Sequence, residues 1–304
     1  MQRVRKQIGC EAEQAKKYSG KNITVAVLDT GIVFHPDFAD RIIAFKDFVR
    51  HRNEPYDDAG HGTHVAGCIG GSGLLSGGKY RGIAPDCRLV IGKVLDREGG
   101  GDTYMMLEAL QWILEQRDKL NIRILNISVG FEEQVNLLKI RKLLSALEEV
   151  WKAGILIVVA AGNKGPAPGS ISPLGMGRNV LTVGCHDGDY HGGGVPLCAQ
   201  YSGRGPSALV MKKPDLVAPG TNIMATCAAV RKRGVTYEYA YVAKSGTSFA
   251  APLVSGAAAL LLEKNPRQTA EEVKRRLCYS ARDLKEPWSK QGWGMLNIKN
   301  LLEV

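Results

Sequence analysis

Five runs rich in Val, Ile and Leu recur along this chain: Ile23–Leu28, Leu89–Leu95, Ile122–Val129, Ile155–Ala160 and Val180–Gly184. They do not alternate with polar residues, so each suits a strand buried on both faces. Helical stretches lie among and after them, at His64–Ile69, Tyr104–Arg117, Val135–Lys152, Ser248–Glu263 and Thr269–Leu277. Thr269 with Glu272 predicts a capping box opening the last of these. Strands alternating with helices imply an α/β fold: a single three-layer domain with a mostly parallel central sheet flanked by helices on both faces. Neither a repeat nor a linker divides the chain, and 304 residues suffice for one well-buried core. Residues 1–19 are expected to form an N-terminal arm packed on the surface, with the domain running over 20–304.

Composition narrows the function classes. The chain is 44% hydrophobic and 23% charged, as ordinary globular proteins are. Its longest apolar runs, Ile155–Ala161 and Ala257–Leu262, are too short to span a bilayer. The basic first residues are followed by no apolar stretch of a secretory signal. The seven cysteines are scattered without a C-x-x-C pair, which fits free thiols in a reducing cytoplasm; a secreted enzyme trimmed of its leader is the alternative. A net charge of +10 raises the question of nucleic acid, but the Lys and Arg residues are dispersed and no aromatic residues are interleaved with their short clusters. We therefore expect no nucleic-acid partner and no membrane partner. Oligomeric state is not legible.

Three segments carry chemistry: V-A-V-L-D-T-G at 25–31, G-H-G-T-H-V-A-G at 60–67 and S-G-T-S-F-A-A-P at 245–252. A Ser hydroxyl is a useful nucleophile only when an imidazole takes its proton and a carboxylate fixes the tautomer of that imidazole. Asp29 directly follows a strand, where sites gather in a parallel sheet. His61 begins a short helix. Ser248 opens a helix apolar enough to run through the core, and meets free N–H groups at its first turn. Pro252 is expected to be tolerated in that same first turn. His61 and His64 are three apart with no neighbouring Glu, which does not match the zinc pattern, so His64 is read as a packed structural residue. Cys68, two helical turns beyond His61, places a thiol beneath the site or is an ordinary buried Cys. The near P-loop at Gly73–Tyr80 lacks its Ser/Thr and its following helix, and is rejected.

These three motifs, in the order Asp, His, Ser, resemble the subtilisin-like (subtilase) serine proteases from about residue 20 onward, and among them the intracellular bacterial members. The resemblance implies a serine endopeptidase acting on proteins or peptides, with Asp29, His61 and Ser248 as its triad. It makes Asn163, in Ala160-Ala161-Gly162-Asn163, the side-chain donor of the oxyanion hole. It further implies that Gly99, Gly100 and Gly101 and, across from them, Ser128, Val129 and Gly130 pair with an extended substrate. A cis bond at Ser172–Pro173 goes with the same alignment. Phe249 and Leu253 depart from the family's usual Met and His, at positions without chemistry. Lys164 replaces an acidic or small residue and predicts a preference for acidic, or against basic, residues before the scissile bond. No cofactor is needed for the chemistry. A structural calcium at Asp37, in His35-Pro36-Asp37, is open, since no further oxygen ligands can be named. The second reading is a catalytically silent subtilase-fold binding or regulatory protein.

Overall fold

Successive residues of each central strand face opposite ways, and the sequence fills both sides with apolar groups. In the computed structural model, which describes residues 1–129, 136–190, 194, 197–206 and 212–303, the strands are β1 (Thr24–Asp29), β2 (Ile42–Asp47), β3 (Arg88–Lys93), β4 (Ile122–Ile127), β5 (Leu156–Ala160), β6 (Leu181–Cys185) and β7 (Leu216–Ala218). They form a 7-stranded sheet in the order β2-β3-β1-β4-β5-β6-β7, and each neighbouring pair is parallel. Short antiparallel pairs join β8 (Ile223–Thr226) to β11 (Tyr241–Lys244), and β9 (Arg231–Arg233) to β10 (Thr236–Glu238). The helices are α1 (Gln2–Gln7), α2 (Glu13–Lys16), α3 (His61–Gly70), α4 (Thr103–Leu120), α5 (Leu137–Lys152), α6 (Thr247–Lys264), α7 (Ala270–Tyr279), α8 (Trp288–Gln291) and α9 (Ile298–Glu303).

Ala26 and Leu28 of β1 face the core made with Met106 and Leu110 of α4 and with Leu143 and Leu147 of α5. Val25 and Val27 face the opposite core, made with α3, α6 and α7 through residues such as Val65, Leu253 and Val273. Helix α6 is buried almost all round, from Phe249 through Leu262, as expected of a helix without a polar face. Each fully buried Leu in it contributes about 1.5–3 kcal/mol over an exposed one. Pro252 is the sixth residue of α6, not part of its first turn, so the Ser248 carbonyl lacks its usual i+4 donor. The capping box between Thr269 and Glu272 forms as expected.

The N-terminal segment is more than a surface arm. Met1, Val4, Ile8, Cys10 and Ala15 enter the core on the α6 side. Arg3 and Arg5 donate to the carbonyls of Thr221 (2.6 Å) and Gly82 (2.7 Å). Strand β1 lies between β3 and β4, so the chain leaves β1 in both directions. That reversal opens a crevice at the carboxyl end of β1, where Asp29 stands.

Candidate active site

Asp29 closes β1 with its side chain wholly buried, while His61 is the first residue of α3. Asp29 Oδ1 accepts from the Thr30 amide at 2.7 Å and lies 2.7 Å from His61 Nδ1. A carboxylate only accepts, so the His61 proton sits on Nδ1 and Nε2 presents its lone pair. Burial opposes the imidazolium, but the Asp29 charge and its hydrogen bond outweigh that and raise the pKa of His61 above its ordinary value. Lys244, whose Nζ donates to the Gly60 carbonyl at 2.8 Å, pulls the other way, and Asp57 adds to the raise.

The sequence reading missed Asp57. Its Oδ1 accepts from the Thr30 hydroxyl (2.7 Å) and the Gly60 amide (2.7 Å). Its Oδ2 accepts from the amide (2.8 Å) and hydroxyl (2.6 Å) of Thr63. The Thr30 hydroxyl in turn accepts from the Gly62 amide at 2.8 Å. One buried carboxylate thus fastens the start of α3 to the end of β1, satisfying donors that a helix N-terminus leaves orphaned. The contact is close: a Cβ at Gly62 would lie 2.3 Å from the Gly31 carbonyl oxygen. An acidic residue just before a helix start was the available signal.

Ser248 is the second residue of α6 and is half-buried. Its two neighbours tie it to the other predicted residues. The ring of Phe249 lies 5.1 Å from His61 and 4.6 Å from His64, centroid to centroid. On the other side, the amide and hydroxyl of Thr247 both donate to Asn163 Oδ1 at 3.0 Å. This fixes the Asn163 amide orientation and turns its Nδ2 toward Gly246, where a Cβ would come within 3.4 Å of it. Gly246 has φ 151°, in a region that favours glycine. The structure thereby brings Asp29, His61, Asn163 and the Ser248 turn together at the carboxyl ends of the parallel strands.

His64 is structural, as expected. Its Nε2 faces the carbonyls of Ile223 (2.9 Å) and Val242 (3.1 Å), so it must carry the proton. Burial, assisted by Lys244, lowers its pKa to about 3. A depressed pKa contributes stability that is complete above the unfolded value near 6.5 and is lost as pH falls toward about 3. Thermal midpoints measured across that window are expected to fall with pH; a flat profile would contradict the buried neutral His64. Cys68 lies 3.7 Å from His64 Nδ1, and burial pushes its thiol up to about 12, which makes it an inert core residue.

Gly99, Gly100 and Gly101 are exposed beyond β3, and Asp96 closes their turn by accepting from the Gly100 amide at 2.8 Å. Ser128 and Val129 are buried just beyond β4, where the Ser128 hydroxyl accepts from Asn126 at 2.8 Å. Gly130 lies outside the described residues. Lys164 is exposed beside Asn163.

One open question and two expectations meet the structure here. Asp37 does not suit calcium: Oδ2 accepts from the Gly73 amide (2.9 Å), and the Tyr241 hydroxyl lies 3.0 Å from both carboxylate oxygens. Calcium requires six to eight oxygen ligands, whereas donor hydrogens surround this carboxylate. Tyr241→Phe is expected to cost about 1–3 kcal/mol by leaving a buried acceptor short of a partner, with the thermal midpoint unmoved by added calcium; calcium-dependent recovery would restore the cation site. Ser172–Pro173 is not cis. Among the described residues the cis bonds are Gly165–Pro166 and Lys213–Pro214, and Pro173 instead enters the short 3₁₀ turn Leu174–Met176 with helical dihedrals. The thiols are not all free, since Cys185 and Cys198 form a disulfide. Asp187 beside it is no third metal ligand. Its oxygens accept from the amides of Cys198, Gly220 and Thr221 and from the Thr221 hydroxyl.

Known proteins resemble this chain in sequence and fold. A sequence model of the Subtilase family matches residues 20–294. Serine protease AprX of Bacillus subtilis is 40% identical over 271 residues, covering 84% of this chain and 60% of AprX. This chain thus spans about 60% of that relative's length. Subtilisin DY of Bacillus licheniformis is 30% identical over 296 residues, covering 96% of this chain and 95% of its own. Among solved structures, a psychrophilic protease, S41, superposes with a TM-score of 0.78 at 29% identity, over 92% of each chain. Sphericase does so at 0.77 and 28%, again over 92% of each.

Proposed function

Since the chain belongs to the subtilase family, we propose that it is a serine endopeptidase that cleaves proteins through an acyl-enzyme on Ser248. The 2.7 Å bond from His61 Nδ1 to the buried Asp29 carries this reading, because it leaves Nε2 free to take a proton. Ser248 Oγ attacks the scissile carbonyl as Nε2 accepts its proton. Asn163 Nδ2 and the Ser248 amide donate to the oxyanion. His61 then protonates the leaving amine, and water releases the acyl group by the reverse path. Asp57 is a positioning residue that holds Asp29 and His61 in register. A fluorophosphonate adduct mapped to Ser248 by peptide mass tests the reading; an adduct elsewhere, or none on folded protein, overturns it.

Asn163→Ala is expected to lower kcat by roughly 10²–10³ with KM little changed, the magnitude established for subtilisin itself. Steady-state kinetics on one peptide substrate separate the two constants, and a loss confined to KM would remove Asn163 from the oxyanion hole.

The substrate is a protein or peptide. Gly99–Gly101 and Ser128–Val129 follow the strands flanking β1, which supports an extended peptide inserting between them. Lys164 beside Asn163 supports a preference for acidic residues before the cleaved bond. Peptide-library profiling would contradict it if Lys or Arg were preferred there. Cytoplasmic location rests on the five cysteines that stay free, four of them buried. Among the described residues no helix is long and apolar enough to cross a membrane.

A further inference from the structure

Strand β11 leads into the turn that carries Ser248, and the β9–β10 hairpin joins it to its partner β8. Two contacts fasten this unit to the residue before His61. Lys244 Nζ donates to the Gly60 carbonyl at 2.8 Å, and a Cβ on Gly60 would lie 3.3 Å from that of Ala228. Arg231 follows Ala228 by three residues, which span at most about 11 Å. The hairpin is therefore rooted beside His61. Its charge is one-sided: Arg231, Lys232 and Arg233 are exposed, and its carboxylate, Glu238, pairs with Arg233 at 3.1 Å. The carboxylates that precede Gly60 already have partners. Asp57 is held by Thr30, Gly60 and Thr63, and Asp58 by Lys93 at 2.7 Å. Arg231 and Lys232 make no ion pair among the described residues. Phe34 and Tyr239 are exposed as well. Each is next in sequence to one end of the 2.9 Å bond from His35 Nε2 to the Ala240 carbonyl, so both flank the same root.

We propose that the β9–β10 hairpin is a specificity element for the part of a substrate that follows the cleaved bond, and that Arg231 and Lys232 select acidic residues there. The proposal rests on the peptidase reading above. His61 protonates the leaving amine, so that nitrogen comes within about 3 Å of Nε2. An extended chain rises about 3.3 Å per residue, which carries the second to fourth residues after the bond roughly 7–13 Å onward. Arg231 stands at a comparable distance from Gly60. An exposed ion pair shifts affinity by up to about fivefold, and charges at a rim act chiefly by steering encounter. The exposed aromatic residues at the root offer the same segment apolar contact. Lys164 concerns residues before the bond, so the two cationic features read different halves of a substrate.

Two quenched fluorescent peptides test this, alike before the cleaved bond and carrying Glu or Lys at the second to fourth positions after it. A peptide anilide with the same front half ends at the cleaved bond and reads the triad alone. In low salt, kcat/KM for the Glu peptide is expected to exceed that for the Lys peptide about tenfold, and the gap to narrow in about 1 M salt. In the Arg231→Glu, Lys232→Glu double variant the preference should reverse. In Arg231→Ala, Lys232→Ala it should shrink toward parity. Equal rates for the two peptides in the wild type overturn the proposal, as does a reversal variant that slows the anilide as much as the Glu peptide. If the wild type cleaves none of the three, the peptidase reading fails instead. Fluorescence anisotropy of the two peptides on the wild-type chain then decides the hairpin, with equal binding overturning it and tighter binding of the Glu peptide supporting it.

Discussion

Ser248→Ala is expected to lower kcat by about 10⁶, the loss that subtilisin itself shows when its nucleophile is removed, while the thermal midpoint barely moves. The second half follows from where the residue stands. Ser248 is half-buried at the start of α6, ahead of the fully buried run that anchors the helix. Trimming its hydroxyl opens no cavity in that run, and substitutions of this kind usually stay within about 0.5 kcal/mol. Turnover of a peptide anilide and a melting curve on the same preparation check both halves. A variant keeping a tenth of the wild-type rate would end the acyl-enzyme reading, whereas an unfolded variant would show that Ser248 holds structure.

Asp29→Asn is expected to reduce kcat by about 10⁴, the order seen when the matching carboxylate of a serine protease is changed to its amide. An amide at this position offers Nδ2–H toward His61, so the ring turns to the tautomer protonated on Nε2 and can no longer take the proton of Ser248. The pH profile should move as well. In the native protein His61 titrates above its ordinary value because the Asp29 attraction outweighs burial. Without that charge, burial and Lys244 both act downward, and the acid limb of kcat/KM should shift to lower pH as the plateau collapses. The stability linkage has a definite sign. A raised folded pKa contributes stability below the unfolded value, and that contribution fades as pH rises through the folded one. The His61 part of the variant's stability loss should therefore be largest in acid and vanish in alkali. Melting curves at both ends of the range test this, and a loss confined to alkaline pH would reverse the assignment.

How much was legible differs by residue and for physical reasons. Strands β1, β3, β4, β5 and β6 were readable because burial on both faces demands unbroken apolar runs. Edge strand β2 escaped: it is mostly half-buried, with an exposed Lys46. Strand β7 is only three residues long. Asp29, His61, Ser248 and Asn163 stood out because their local contexts are specific. Asp57 did not, since its role appears only when Thr30, Gly60 and Thr63 converge on it. Calcium at Asp37 was left open because what bears on it comes from afar: Tyr241 is 204 positions away in sequence. The Cys185–Cys198 bond likewise depends on how two loops meet in space, which spacing alone cannot give.

The clamp at Asp57 is local, while the nucleophile comes from far along the chain. Its partners all lie between residues 30 and 63, so the acid and the base of the site are joined through one short stretch of sequence. The hydroxyl they serve is supplied by α6, which begins at residue 247. On the proposed mechanism the acid and the base therefore have no hydroxyl to activate until α6, which packs on one face of the sheet, is in place.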